Sequence, residues 1–373
     1  MPLSFFALAF ALIAPPAHHP AHRNPPPCHS LTESQFREPL TLTEPCYIVT
    51  DFISISAPLT INPGTTILFG GGAALVPENG GSINATGTPE KPIIFRGREH
   101  APGYWTGLRI SSNSPNNKLS YVTIEDAGQK GGSDEGAIQV GVGARLSIDH
   151  TNVRNSASAG INVLQRGTLS RFEANHFEND STPLSIKAGD AAMIDAATTF
   201  TNNQHNYVLI HSNDSEIKDD ATWHALAVPY HLEATPSIKA HLTIEPGARL
   251  EFAQGYGINV DDNGSLSASG NPAHPITFTG AEEAPGFWDG IYFASNSPRN
   301  VLSNVVIKYG GQKSGLANGG VGLAPRASAT VRASEIAFSA TAAIFVGQNA
   351  TLNADAGTTN RFHDNAQGIV QDQ

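Results

Sequence analysis

Charge is scarce in this sequence. Only 15% of its 373 residues are charged, and acidic residues outnumber basic ones 33 to 22, for a formal net charge of -11. No basic patch is present, which excludes the clustered Lys and Arg that a nucleic-acid partner requires. Long apolar runs are missing too: none reaches the roughly 18 residues that a transmembrane span needs. The nearest is residues 5–14, which has the length of a signal-peptide h-region, with a small-residue cleavage point near Ala17. No Lys or Arg precedes that run, and Pro15 and Pro16 crowd its end. Cysteine is limited to Cys28 and Cys46. The pair fits one disulfide in an oxidising compartment, with two unpaired thiols as the alternative. Pro27 before Cys28 disfavours lipid attachment, and His18, His19 and His22 sit among prolines as in a linker rather than a metal site. Only 3 Trp occur. Two of them stand in nearly the same phrase, APGYWTGL (101–108) and APGFWDGI (284–291).

That repetition extends far beyond the phrase. LTINPGTTILF (59–69) matches LTIEPGARLEF (242–252), KPIIFRG (91–97) matches HPITFTG (274–280), and GQK recurs at 128–130 and 311–313. Every pair is offset by 183 residues, and about 17 of the 30 positions from 101 to 130 are identical. Within each copy, apolar centres such as Ile67, Ile83, Ile94, Leu108, Val122 and Ile138 recur, each followed by Gly, Asn, Pro or Ser. The alternation around them is strand-like. In LSYVTIE (119–125), alternation places Leu119, Tyr121 and Thr123 on one side and Ser120, Val122 and Ile124 on the other. Two or three such strands form a coil of ~20 to 30 residues, and stacked coils bury a continuous apolar column. A β-sandwich gives similar strands but does not call for a long gapless duplication. A β-propeller needs more than two copies at blade length.

The phrases LTINPGTTILF, GSINATGTPEKPIIFRG, YWTGLRI and LSYVTIEDAG, with the joining stretch 221–252, resemble secreted bacterial right-handed parallel β-helix proteins of the pectin-lyase-like fold. The resemblance runs from about Pro45 onwards. It implies an all-β, right-handed parallel β-helix solenoid, internally duplicated. The expected organisation is a signal peptide and Pro/His-rich linker (1–27), a cap segment (28–47), a first β-helix half (48–225) and a second (226–373). Ser30, three residues before Glu33, has capping-box spacing, so a short helix there could cover the first coil.

β-Helix enzymes mostly cleave acidic polysaccharides, which directs attention to acids beside Arg, Lys or His. Asp149 and His150 resemble the Ile-Asp-His part of a pectate-lyase pattern. However, Ser147 replaces its Trp and the Arg-x-Pro-x-x-Arg partner is missing. The alternative is that both residues decorate a turn. Glu125, Asp126, Asp134 and Glu135 gather in a Gly-rich loop and are candidate Ca²⁺ ligands, against a solvated acidic loop. The second copy lacks all four acids, so a duplicated metal site is excluded. Tyr104–Trp105 and Phe287–Trp288 are candidate sugar-stacking pairs. Two equal sites on one rod would raise avidity for a polymer. The competing reading has each Trp packed over a coil corner, with Gly107 and Gly290 allowing close approach. No complete catalytic set is visible and no cofactor is required. The expected function is a secreted or cell-surface scaffold that binds an extracellular polysaccharide or a surface protein. The alternative is a polysaccharide lyase or glycoside hydrolase.

Overall fold

The computed structural model describes residues 27–131, 135–211 and 215–372. The expected signal peptide, its cleavage point and the Pro/His-rich stretch lie outside the described residues, apart from Pro27. Among the described residues, short strands wind through five sheets, and the strand pairings within those sheets run parallel. The result is a parallel β-helix solenoid with three faces. One face is a continuous 13-stranded sheet from Phe52–Ile55 to Arg361–His363, called here the long face.

Each coil turns one row of apolar side chains inward. On the long face the register joins Ile53 to Leu75, Leu108, Ile138, Ile161 and Leu184, and continues through Val208 and Tyr230 to Phe362. These rows merge into a single core running from Leu31 to Val346. Each fully buried Val, Leu or Ile contributes about 1.5–3 kcal/mol, and each touches its counterparts in the coils above and below.

LSYVTIE does not form the single alternating strand expected. The chain turns at Tyr121, whose φ is +51°, between strands Lys118–Ser120 and Val122–Glu125 on neighbouring faces. Leu119, Val122 and Ile124 therefore all point into the core. A residue in the left-handed region redirects the chain, which resets the alternation. His150 and Ala174 occupy the same corner in the next two coils, with φ of +47° and +50°.

The two halves are out of phase around the solenoid. Thr66–Phe69 lies in an eight-stranded sheet, whereas its repeat Arg249–Phe252 lies in the long face. Ala74–Pro77 lies in the long face, whereas its repeat Gly257–Val260 lies in a seven-stranded sheet. The offset of 183 residues thus spans whole coils plus one extra face. The change of sheets falls at the 3₁₀ helix Ala188–Met193. This helix replaces a strand and packs against Thr168–Glu173 on one side and Ala221–Trp223 on the other.

At the N-terminal end, Cys28 and Cys46 form the expected disulfide. The 3₁₀ helix Glu33–Arg37 buries Phe36 over the first coil. Its capping box is displaced from the expected Ser30/Glu33 pair. Thr32 is the N-cap, and its N–H donates to Gln35 Oε1 at 2.8 Å.

Candidate functional site

In the repeated phrase, Gly103 and Gly286, both at φ +73°, turn the chain so that the Trp enters the coil interior. Trp105 and Trp288 are wholly buried. Trp105 stacks on Phe69 at 3.8 Å and donates Nε1–H to the Glu125 carbonyl at 2.7 Å. Trp288 stacks on Phe252 at 4.2 Å and donates to the Lys308 carbonyl at 2.7 Å. Neither indole has a free face to offer a sugar ring. Tyr104 and Phe287 are half-buried, leaning over Gly97 and Gly280. Because of the phase shift, the first phrase turns onto the long face and the second turns off it. A straight polymer along one face cannot meet both.

Asp149 and His150 do come together, with partners the sequence reading missed. Asp149 is buried. Its Oδ1 accepts from Ser120 Oγ at 2.6 Å and lies 3.1 Å from His150 Nδ1, and its Oδ2 lies 3.2 Å from Arg171. Arg171 also holds Glu173 at 2.7 Å, and the His150 ring stacks on Tyr121 at 4.6 Å. A register shift between Leu146 and Ser147 sets Arg171 beside Ser147 and Glu173 beside Asp149. Such a shift is not visible in sequence spacing. Hydrogen bonding to Glu173 and the charge of Asp149 push the Arg171 guanidinium further up, so it is a fixed cation rather than a base.

The acidic loop is split. Glu125 is ion-paired with Arg154. Asp126 is fully buried, with Oδ2 3.3 Å from His100 Nδ1 and Oδ1 accepting from Asn155 Nδ2 at 3.3 Å. Burial raises the Asp126 pKa. The ligand-type cluster that forms is His100, Glu125 and Asp126. Glu135 lines a groove elsewhere, and Asp134 lies outside the described residues. The Arg154 guanidinium sits against one carboxylate oxygen of Glu125, Oε1.

That groove, of about 580 Å³, lies on the long face of the first half. Lys130, Gly131, Glu135, Ser158, Ser181 and Thr182 line it, and Asn162 and Ser185 reach it from within the strands of the face. Those two residues belong to one outward row, Arg109–Gln139–Asn162–Ser185–Leu209–His231–Glu251, with one residue per strand. At a strand spacing of about 4.8 Å the row spans roughly 29 Å. Arg109 donates to the Gly136 carbonyl at 2.6 Å and is close enough to Glu135 for the two charges to interact. At the far end, the Tyr207 ring stacks on His231 at 4.5 Å, and burial lowers the His231 pKa, keeping the ring neutral at pH 7. The signal for this row was present as outward residues one coil apart, polar except at Leu209, but only the exact coil lengths align them.

These features define a protein class: the chain is a parallel β-helix repeat protein. Residues 35–164 match the family model described as a pectate-lyase like beta helix domain. No curated protein matches the chain. No solved structure matches it either.

Proposed function

We propose that the protein is a secreted or cell-surface β-helix scaffold that binds an extracellular polysaccharide along the long face. The observation that carries this reading is the open groove continuous with a straight outward row that is polar except at Leu209. The amide and hydroxyl groups of Gln139, Asn162 and Ser185, one strand apart, suit a hydroxyl-rich polymer. Rigidity limits the ordering cost of binding. Asn162 and Ser185 bring short polar side chains to the groove rather than a base among carboxylates, which favours binding over cleavage. The Asp149–His150–Arg171 cluster keeps the lyase or hydrolase reading in the test.

The test is incubation with a panel of acidic and neutral soluble polysaccharides, with and without Ca²⁺, followed by affinity electrophoresis and end-group assay. Retardation by at least one polymer without new chain ends is expected. Asn162→Leu with Ser185→Leu should weaken that retardation at least tenfold. New unsaturated or reducing ends, lost in Asp149→Asn, would replace the scaffold with an enzyme.

A further inference from the structure

One corner of the first half buries a carboxylate that the fold does not require. Asp126 follows strand Val122–Glu125 with φ +64°. Its repeat, Tyr309, holds the equivalent corner at the same φ and stacks on Phe338 at 5.1 Å. The frame around the two is shared: the Trp of each half donates to the carbonyl of the preceding residue, Glu125 or Lys308, at 2.7 Å. The corner thus folds with an aromatic ring in place of the carboxylate. Burying a carboxylate costs stability unless its oxygens are paired. Asp126 Oδ1 accepts from Asn155 Nδ2, whereas the buried Oδ2 accepts no hydrogen bond. The atom facing Oδ2 is His100 Nδ1, at 3.3 Å.

That separation suits a shared cation. Two ligands about 2.0–2.1 Å from a tetrahedral Zn²⁺ stand about 3.3–3.4 Å apart. Glu125 adds a third ligand, and all three ligand atoms lie within 4.8 Å of one another. Arg154 engages Glu125 through Oε1, so Oε2 is the oxygen assigned to the metal. Asn155 on Oδ1 and Arg154 on Oε1 orient the two carboxylates, as outer partners of metal ligands do. One imidazole and two carboxylates are too few oxygens for Ca²⁺, which takes about 6–8, and match the mixed nitrogen and oxygen sets of Zn²⁺. His100 is exposed, so the cluster opens to solvent. In the second half the three positions are Glu283, Lys308 and Tyr309, which cannot hold a cation together.

We propose that His100 Nδ1, Glu125 Oε2 and Asp126 Oδ2 form a Zn²⁺-type divalent metal site at this corner, with water in the fourth position. Binding clips the loop that carries His100 to the end of strand Val122–Glu125. Arg96 is the built-in competitor, because its Nη1 lies 2.9 Å from His100 Nε2. Metal on Nδ1 leaves the ring proton on Nε2, and the guanidinium must then give way.

The test is calorimetric titration of the chelator-treated full chain with Zn²⁺. It uses a background carrying His18→Ala, His19→Ala and His22→Ala, because those three stand close together in the sequence and can bind Zn²⁺ themselves. One saturable equivalent at micromolar Zn²⁺ is expected, with a rise in melting temperature. His100→Ala, on an exposed loop, and Asp126→Asn, which keeps the side-chain shape, should each weaken binding at least tenfold and abolish the thermal shift. Arg96→Gln, whose carbonyl can accept from Nε2–H, should tighten binding at least threefold. Absence of a saturable equivalent overturns the site, as does binding that His100→Ala and Asp126→Asn leave unchanged. Weaker or unchanged binding in Arg96→Gln overturns the assignment of Nδ1. Displacement of Zn²⁺ by millimolar Ca²⁺ overturns the assignment of the metal. None of these readouts depends on polysaccharide binding.

Discussion

Asp180 shows how one residue can carry a pH dependence in this fold. It sits in a corner column, with Oδ1 accepting from the Ser156 N–H at 2.8 Å and its own N–H donating to Asn203 Oδ1 at 2.9 Å. Oδ2 is buried and has no hydrogen-bond partner, and burial pushes the carboxyl up to about 8. Below about pH 4 the carboxyl is protonated in both the folded and unfolded chain. Between there and pH 8 the unfolded chain ionises while the folded one keeps its proton, so stability falls as pH rises. Above pH 8 the loss is complete. Asn203 fills the equivalent position in the next coil, so Asp180→Asn should preserve the geometry. The expected outcome is a higher melting temperature than the parent at pH 8, no difference at pH 4, and a flatter profile between. A parallel profile for the two proteins would show that Asp180 ionises freely in the fold. The buried indoles give a second test at this scale. Trp105→Ala should cost about 3–5 kcal/mol in a denaturant titration. Polysaccharide binding by the fraction that remains folded should be unaltered.

At the scale of elements, the corners matter more than the strands. Non-glycine residues hold the left-handed region at corner after corner, and many are Asn: Asn155, Asn179, Asn202 and Asn304. Asn tolerates that region because its short side chain bonds locally. Ala333 is exposed, has φ +48°, and is the repeat of His150. Ala holds that conformation without a local side-chain hydrogen bond, so Ala333→Asn should raise stability by several tenths to about 1 kcal/mol. Thermal melts of the two proteins check this. The corners also explain what was legible. Apolar spacing and the 183-residue offset revealed strands, coils and duplication, because inward residues must be apolar in every coil. The face change at Tyr121 was hidden, since a tyrosine in the left-handed region looks like any strand tyrosine. The Asp149–Arg171 ion pair was hidden for a related reason: partners a coil apart meet only after coil length and bulges are known. The phrase around each Trp was visible as a repeat, but its burial depended on the stacking partners Phe69 and Phe252 in neighbouring coils.

The whole molecule is a stack in which each coil is stabilised by its two neighbours, so its ends are its weakest regions. The phase shift between halves separates the two repeated surfaces onto different faces, while the 13-stranded sheet runs unbroken through the junction. Cooperativity therefore passes through the long face even where the other sheets change. At the N-terminal end, among the described residues, the first coil has a coil neighbour on one side only, and Phe36 and the disulfide stand on the other. Cys46 begins strand Cys46–Val49, which pairs with His29–Ser30 on the outside and Thr66–Phe69 on the inside. The Cys28–Cys46 link, 18 residues apart, closes a loop whose entropy is worth about 3 kcal/mol. In a nearest-neighbour stack that loss should remain local. Reduction with alkylation should therefore speed hydrogen exchange in Leu40–Leu42 and Cys46–Val49 by two orders of magnitude or more, while Thr182–Ile186 exchanges as before. Equal acceleration along the whole chain would instead mean that the long sheet couples every coil into a single unfolding unit.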